Sequence, residues 1–410
     1  MITAVSNVFG MATRPELPDR TDVVVVGGGI AGTATAYFLA TDADRDVTLV
    51  ERDRVAAGST GDSSAILRHH YGDDAIYTEM ARWSHEFFRE FEARTGQPLA
   101  HADSPLVRFG EEGTPGGDYA AAGCDVLAER GVPVSRHDSD EFADLYPMYD
   151  GLDRFDFAAS DDGAAYSDGT DAAGGFARAA ADAGATVVTG VAVESIAVEE
   201  DEVVGVDTDD GRVDCETVVV AAGPWTPELA ADVGVDVPIT PTREQVVVLD
   251  PSAEYVEEYP ELTPTTSMPG GEWYLRPDFG DNVLVATHYL TERVDPDRYD
   301  DTPDEATLLE LTDLVTETIP GLADASVRGR YCGVYSTTPD HDFVLDRAGP
   351  DGCLLACGFS GHGFKHGPAV GRIMRDLIVD GDTDLVDVDH FALDRFEDDP
   401  EGHGMPADNI

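Results

Sequence analysis

VVVVGGGIAGTATAYFLA, residues Val23 to Ala40, decides the fold. The four valines read as a buried strand, the glycines as a tight turn, and Ala31 to Thr41 as a helix of small residues. A second strand, Val47 to Glu51, completes a β-α-β unit. Gly27-x-Gly29-x-x-Gly32 thus follows a strand and opens a helix, and Glu51 stands 24 residues after Gly27. Gly27 permits the turn, Gly29 lets the backbone approach a pyrophosphate, and Gly32 lets the helix pack on the strand. Ile30 and Ala31 in the same turn join this cofactor-binding set, as do Glu51, which can accept from ribose hydroxyls, and its neighbour Arg52.

Around this unit lie 410 residues with 42 Gly, 24 Pro and 42% hydrophobic content, enough for two or three domains. Asp and Glu number 82 against 26 Lys and Arg, a formal net charge of −56. Such a field repels phosphate, which excludes a nucleic-acid partner and argues against anionic membranes. At about 1 M salt the Debye length shrinks to roughly 3 Å, so the composition reads as that of a halophile's cytoplasmic protein. Cys124, Cys215, Cys332, Cys353 and Cys357 contain no C-x-x-C and are expected to be reduced and mostly buried. The opening residues lack a signal-peptide pattern, and glycines break the one long apolar run, so no transmembrane segment is expected.

Farther along, Ile76, Met80, Trp83, Phe87, Phe88 and Phe91 predict one amphipathic helix from Asp74 to Gly96, and residues 100 to 165 read as loop-rich. A helix at Ala172 to Ala183 precedes a β-rich block containing a hairpin at Asp209, Asp210 and Gly211 and ending in ETVVVAAGPW. Strands follow at EQVVVLD, EWYLRP and NVLVATHY, then a helix at Glu305 to Thr318, and residues Cys353 to Gly381 return to strand, glycine loop, helix. Dinucleotide-type elements therefore lie at the start, middle and end. The expectation is an α/β protein with a discontinuous Rossmann-like cofactor domain, residues 21–95, 160–236 and 338–396, holding an antiparallel-sheet substrate domain, residues 96–159 and 237–337. Residues 1–20 and 397–410 are expected to be a flexible extension and tail.

The glycine fingerprint does not separate FAD from NAD. The lack of a second copy for a nicotinamide cofactor favours FAD, as does the AAGPW strand end, where Gly223 allows close backbone approach. Near the C-terminus, CLLACGFSGHGFKHGPAVGRIMRDLI aims a glycine loop and a helix N-terminus at one point, an arrangement suited to the negative charge of a reduced flavin. Of the 26 basic residues, Lys365 in this junction is the only lysine, which marks it as a required ammonium rather than an interchangeable cation. Arg68 in GSTGDSSAILRHHYGDD reads by itself as a surface partner of an acid. No zinc-spaced Cys/His cluster and no G-x-S-x-G elbow occurs, so no metal and no serine hydrolase are expected.

GFSGHGFK, Gly358 to Lys365, ILRHHYG, Ile66 to Gly72, and TTPDHDFVLD, Thr337 to Asp346, carry a specific resemblance. The chain resembles the D-amino-acid oxidase-like flavoproteins, nearest the monomeric sarcosine oxidase and glycine oxidase branch, over roughly Asp22 to Phe396. The resemblance implies that Arg68 and Lys365 bind a substrate carboxylate and that Tyr71 and His288 line the substrate pocket. It also implies a cofactor-binding set that adds Gly58, Ser59, Ser64, Val193, Gly223 and Trp225, together with Gly358, Gly361, His362, Gly363, Phe364 and Lys365. The position of the family's flavin-linking cysteine falls on Gly333, with Cys332 one residue away, so FAD is expected to be non-covalent. The family's oxygen-activating lysine aligns with Leu284 or Val285, which predicts an electron acceptor other than oxygen. The implied reaction is oxidation of the C–N bond of a small amino acid or N-methyl amino acid. A 2-hydroxy-acid or glycerol-phosphate dehydrogenase, with a base among His69, His70, His288 and His362, and a flavin-binding subunit of a larger complex are the alternatives. The oligomeric state is left open.

Overall fold

The structure is a computed structural model that describes residues 15–259, 264–267 and 273–398. Most of the expected extension 1–20 and tail 397–410 lies outside the described residues. Asp19, within that extension, is tied down, its carbonyl accepting the Asp214 N–H at 3.0 Å.

Two sheets organise the molecule. The first runs Val344–Arg347, Cys353–Cys357, Thr217–Val220, Val23–Val26, Val47–Glu51, Thr186–Thr189, all neighbours parallel except the outermost pair formed by Val344–Arg347. Its Val23–Val26 strand is apolar throughout because both faces are covered. Val23 and Val25 pack in the core under the helices Ile30–Asp42, Gly169–Asp182 and Gly367–Val379. Val24 and Val26 meet the other core, built with the small antiparallel sheet of Val193–Glu199, Glu202–Thr208 and Gly211–Asp214. Cys353 and Cys357 share that second core, as expected for two residues four apart on one strand. All five cysteines are free thiols.

The second sheet has eight strands in the order Ser326–Thr337, Thr240–Asp250, Asn282–Thr287, Trp273–Asp278, Thr265–Ser267, Leu106–Gly110, Phe157–Asp161, Val134–Asp138. Every pair is antiparallel except Thr265–Ser267 with Leu106–Gly110. Val247, Leu275, Val283 and Val285 bury one face against the helix Glu305–Thr318, whose bounds match the sequence reading. Because side chains alternate across a strand, Glu244, Val246, Tyr274 and Leu284 point the other way. That face looks onto the glycine-rich turns of the first sheet, and between them lies the cavity.

Two expectations need correction. The Asp74 to Gly96 helix is two helices, Ala75–Arg89 and Phe91–Thr95, because Glu90 leaves helical geometry at φ −101°, ψ 13°. Phe87, Phe88 and Phe91 all remain in the core across the break. Residues 100 to 165 are not loop-rich but hold five strands and the helices Pro115–Glu129 and Ser139–Leu145. No helix among the described residues is long and apolar enough to cross a membrane.

Candidate active site

The Ile30–Asp42 helix begins at Gly29 with no side-chain cap and no acid in its first turn. Its N-terminus therefore opens, unneutralised, into a cavity of about 640 Å³. Gly27, Gly29, Ile30, Ala31, Glu51 and Arg52 line one end of it. Thr60 Oγ1 takes the Ile30 N–H at 3.0 Å. Glu51 is already engaged, Oε2 accepting from Gly28 N at 2.7 Å and Oε1 from Asp53 N at 2.8 Å, so its carboxylate is held rigidly at the cavity wall.

Trp225 and Arg52 form a bracket at the edge. The Arg52 guanidinium lies 3.9 Å over the indole, and both groups donate to Asp297 Oδ1, at 2.8 and 3.0 Å. Gly58 passes under this bracket, since a Cβ there would stand 3.4 Å from the Trp225 ring. Ser59, Ser64, Val193 and Gly223 also line the cavity, Ser59 fixed by a 2.5 Å bond to Val334 O. At the far end Gly361, Gly363 and Phe364 close it beneath Glu244, Val246, Tyr274 and Tyr335 of the second sheet. Gly361 has φ +85°, and a Cβ there would meet the Tyr335 ring at 2.3 Å, so the loop reaches the sheet only because it carries no side chain. Four members of the sequence-derived set stay out of this lining: His362 and Lys365 face the smaller cavity, and Gly32 and Gly358 face neither. Gly32 packs against Gly27 O, and Gly358 turns the chain beside Thr338.

A smaller cavity continues from this end, walled by Arg68, His288, His362 and Lys365, with Arg108 and Ser267 from the second sheet. Lys365 is buried and its Nζ donates only to His362 O, at 3.2 Å, while one terminal nitrogen of Arg68 has no partner. Burial, then Arg68 and Arg108, hold the Lys365 amine well below its ordinary value. The same three cations and burial pull His288 down to about 3, burial being the larger cause, and its Nε2 is unpartnered. At neutral pH this imidazole is uncharged.

Tyr71 is one layer behind the wall. Its ring supports the Arg68 guanidinium at 4.1 Å and its hydroxyl bonds His366 Nε2 at 2.8 Å. His69 and His70 turn elsewhere, His69 Nδ1 to Asp161 at 3.1 Å and His70 Nε2 to Ala120 O at 3.2 Å. His362 is held between Tyr71 OH at 3.3 Å and His341 O at 3.0 Å. Arg108, Thr60, Glu244, Tyr274 and Tyr335 escaped the sequence reading. Arg108 sits in LVRFG as the polar member of an alternating strand, a pattern that signals solvent unless the second face is known to be covered.

Gly333 lines the large cavity, whereas Cys332 points to the opposite side of the strand, beside Arg243, with its thiol pushed up to about 11 by burial. Acid precipitation of the yellow protein should therefore release FAD to the supernatant. Colour kept in the pellet and lost in Cys332→Ser would contradict this placement.

Residues 22–377 match the DAO family of FAD dependent oxidoreductases. The chain is similar to monomeric sarcosine oxidase of Bacillus sp. (strain B-0618), 26% identical over 91% of this chain and 96% of that protein. N-methyl-L-tryptophan oxidase of Yersinia pestis (strain Pestoides F) is 25% identical over 92% of this chain and 99% of its own. Among solved structures, L-proline dehydrogenase from P. horikoshii superposes with a TM-score of 0.85 at 25% identity, covering 94% of this chain and 100% of that one. Glycine oxidase from Geobacillus kaustophilus, at 22% identity and a TM-score of 0.78 over 92% of this chain and 99% of its own, shares the fold.

Proposed function

Since the chain belongs to the family of FAD dependent oxidoreductases, and so binds FAD, we propose that it oxidises the C–N bond of a small secondary or primary amino acid. The observation that carries this is the pair of buried cations, Arg68 and Lys365, at the end of the large cavity with no acidic residue among the described lining of the pocket they share. Sarcosine, N-methyltryptophan and proline, named in the similar proteins, are each secondary amines carrying one α-carboxylate.

The cavity suits FAD. It starts at a helix N-terminus with no acid in its first turn, fit for a pyrophosphate, and Gly29 leaves room there. Bound FAD supplies the hydride acceptor. The chain's own groups do the rest: Arg68 and Lys365 fix the carboxylate and thereby the orientation of the adjacent C–H bond. His288, neutral, presents an unpartnered nitrogen that can accept from the substrate amine. Phe364 and Tyr335 line both cavities where they meet. Burial and the surrounding cations make His288 a weak base in the empty pocket, which disfavours a 2-hydroxy-acid substrate that would need a proton drawn from its alcohol there.

Leu284 stands on the cavity side of the sheet with Val246 and Tyr274, while Val285 lies in the opposite core. Arg276, on the cavity side too, is spent on Asp278 at 2.9 Å. Leu284 offers no cation to favour charge transfer to dioxygen, and Arg68 and Lys365 are committed to the substrate carboxylate, so we expect a dehydrogenase. In a turnover assay, secondary amino acids should reduce an artificial dye much faster than they consume oxygen, and matching 2-hydroxy acids should be inert. A preference for hydroxy acids would defeat the functional reading; oxygen use matching dye reduction would defeat only the acceptor.

A further inference from the structure

The smaller cavity holds more positive charge than one carboxylate needs. Besides Arg68 and Lys365 it is lined by Arg108, which enters from the strand Leu106–Gly110 in register with Ser267. Arg108 is 7% exposed. One terminal nitrogen donates to Ser267 Oγ at 3.2 Å, its guanidinium lies 5.1 Å from the Tyr119 ring, and its Nε is buried without a partner. No acid among the described lining residues answers these cations, in a chain with 82 of them. Asp161, a carboxylate that acts on Arg68, is taken by the His69 N–H at 2.6 Å and by its ring. Burial brings Arg108 down to about 10, partly opposed by Tyr119 and reinforced by Arg68, so the guanidinium remains charged at neutral pH.

Three buried basic groups with no acid among the described lining are strongly unfavourable as charges in the free protein, a cost relieved when Lys365 gives up its proton or when anions enter. One α-carboxylate can satisfy Arg68 and Lys365. It leaves Arg108, which enters from the second sheet, with an unused Nε donor beside the Ser267 hydroxyl. We infer that Arg108 with Ser267 forms a second anion subsite and that the preferred substrate is a dianionic amino acid, a secondary amine bearing a side-chain carboxylate in addition to its α-carboxylate. This rests on the reading of the pocket as an amino-acid site. Arg108 then selects the substrate rather than taking part in bond breaking.

The test is ligand binding to the FAD-loaded enzyme at about 1 M salt, which screens the surface charge. Succinate and butyrate, equal in carbon number, are titrated while the flavin spectrum is followed, and heats of binding are measured in parallel. One charge-assisted hydrogen bond corresponds to about ten- to a hundredfold in affinity, so succinate should bind at least about tenfold tighter than butyrate. Arg108→Gln should erase that ratio, and N-methylaspartate should lose its KM advantage over N-methylalanine. Arg108→Lys, which keeps the charge should the neutral variant misfold, should hold an intermediate ratio. Equal affinities in the wild type, or an unchanged ratio in Arg108→Gln, would overturn the second subsite and leave the amino-acid reading intact. Failure of both acids to bind would remove that underlying reading, and this inference with it.

Discussion

Replacing Gly29 with valine is expected to give a folded but colourless protein. Gly29 has φ −76° and ψ −178°, geometry open to any residue, and a Cβ there meets only Thr60 Oγ1, at 3.2 Å. The new side chain therefore costs the empty fold little and points into the cavity where the pyrophosphate must come within hydrogen-bonding distance of the helix N-terminus. Overpacking of this kind costs about 1–3 kcal/mol or more, so FAD affinity should fall by about five- to a hundredfold or more. Gly32 provides the contrast. A Cβ at that position would meet Gly27 O at 2.0 Å, so Gly32→Ala should damage folding itself. Circular dichroism and flavin content separate the two cases. A Gly29→Val protein with full flavin would move the phosphate site elsewhere.

Loss of either Arg68 or Lys365 should lower kcat/KM by about ten- to a hundredfold or more, since a charge-assisted hydrogen bond contributes about 1.5–3 kcal/mol. Arg68→Met removes a guanidinium whose orientation is fixed by the Tyr71 ring and by a bond to His70 O. Lys365→Met removes the only ammonium in the chain. The two should differ with pH. Lys365 is held below its ordinary value, so as pH rises through its depressed range the empty pocket loses that charge. An anion binds the protonated amine, so carboxylate binding should take up a proton on the alkaline side and weaken there. In Lys365→Met the alkaline loss should vanish. An alkaline limb unchanged in Lys365→Met would assign the titration to another group, and full activity on the amide of the best substrate would discard the clamp.

How far the sequence carries depends on whether a residue's neighbours are local. Val23–Val26, the glycine turn and the Ile30–Asp42 helix are read correctly because strand, turn and helix each follow from adjacent residues. The helix Glu305–Thr318 is equally local. The helix Pro115–Glu129 is hidden because its sequence carries three glycines and buries only Gly117, Ala120, Gly123 and Leu127, too faint a stripe to stand out. Lys365 is visible through its uniqueness, whereas Arg68 gains meaning only beside the family pattern. Arg108 and Glu244 belong to the cavity through the register of an eight-stranded sheet, which pairs Arg108 with Ser267 and Glu244 with Gly333, and no local pattern records such distant pairings.

The most direct measurement mixes the purified yellow protein, without oxygen or dye, with a panel of N-methyl amino acids, the corresponding primary amino acids and the corresponding 2-hydroxy acids, and follows the oxidised flavin band in a stopped-flow instrument. Complete bleaching is expected with at least one carboxylate-bearing amine, saturating with its concentration and slowed by about tenfold or more in Arg68→Met and Lys365→Met, with no bleaching by the hydroxy acids. Bleaching by a hydroxy acid alone, or bleaching by an amine at equal rates in the wild type and both variants, would contradict this expectation.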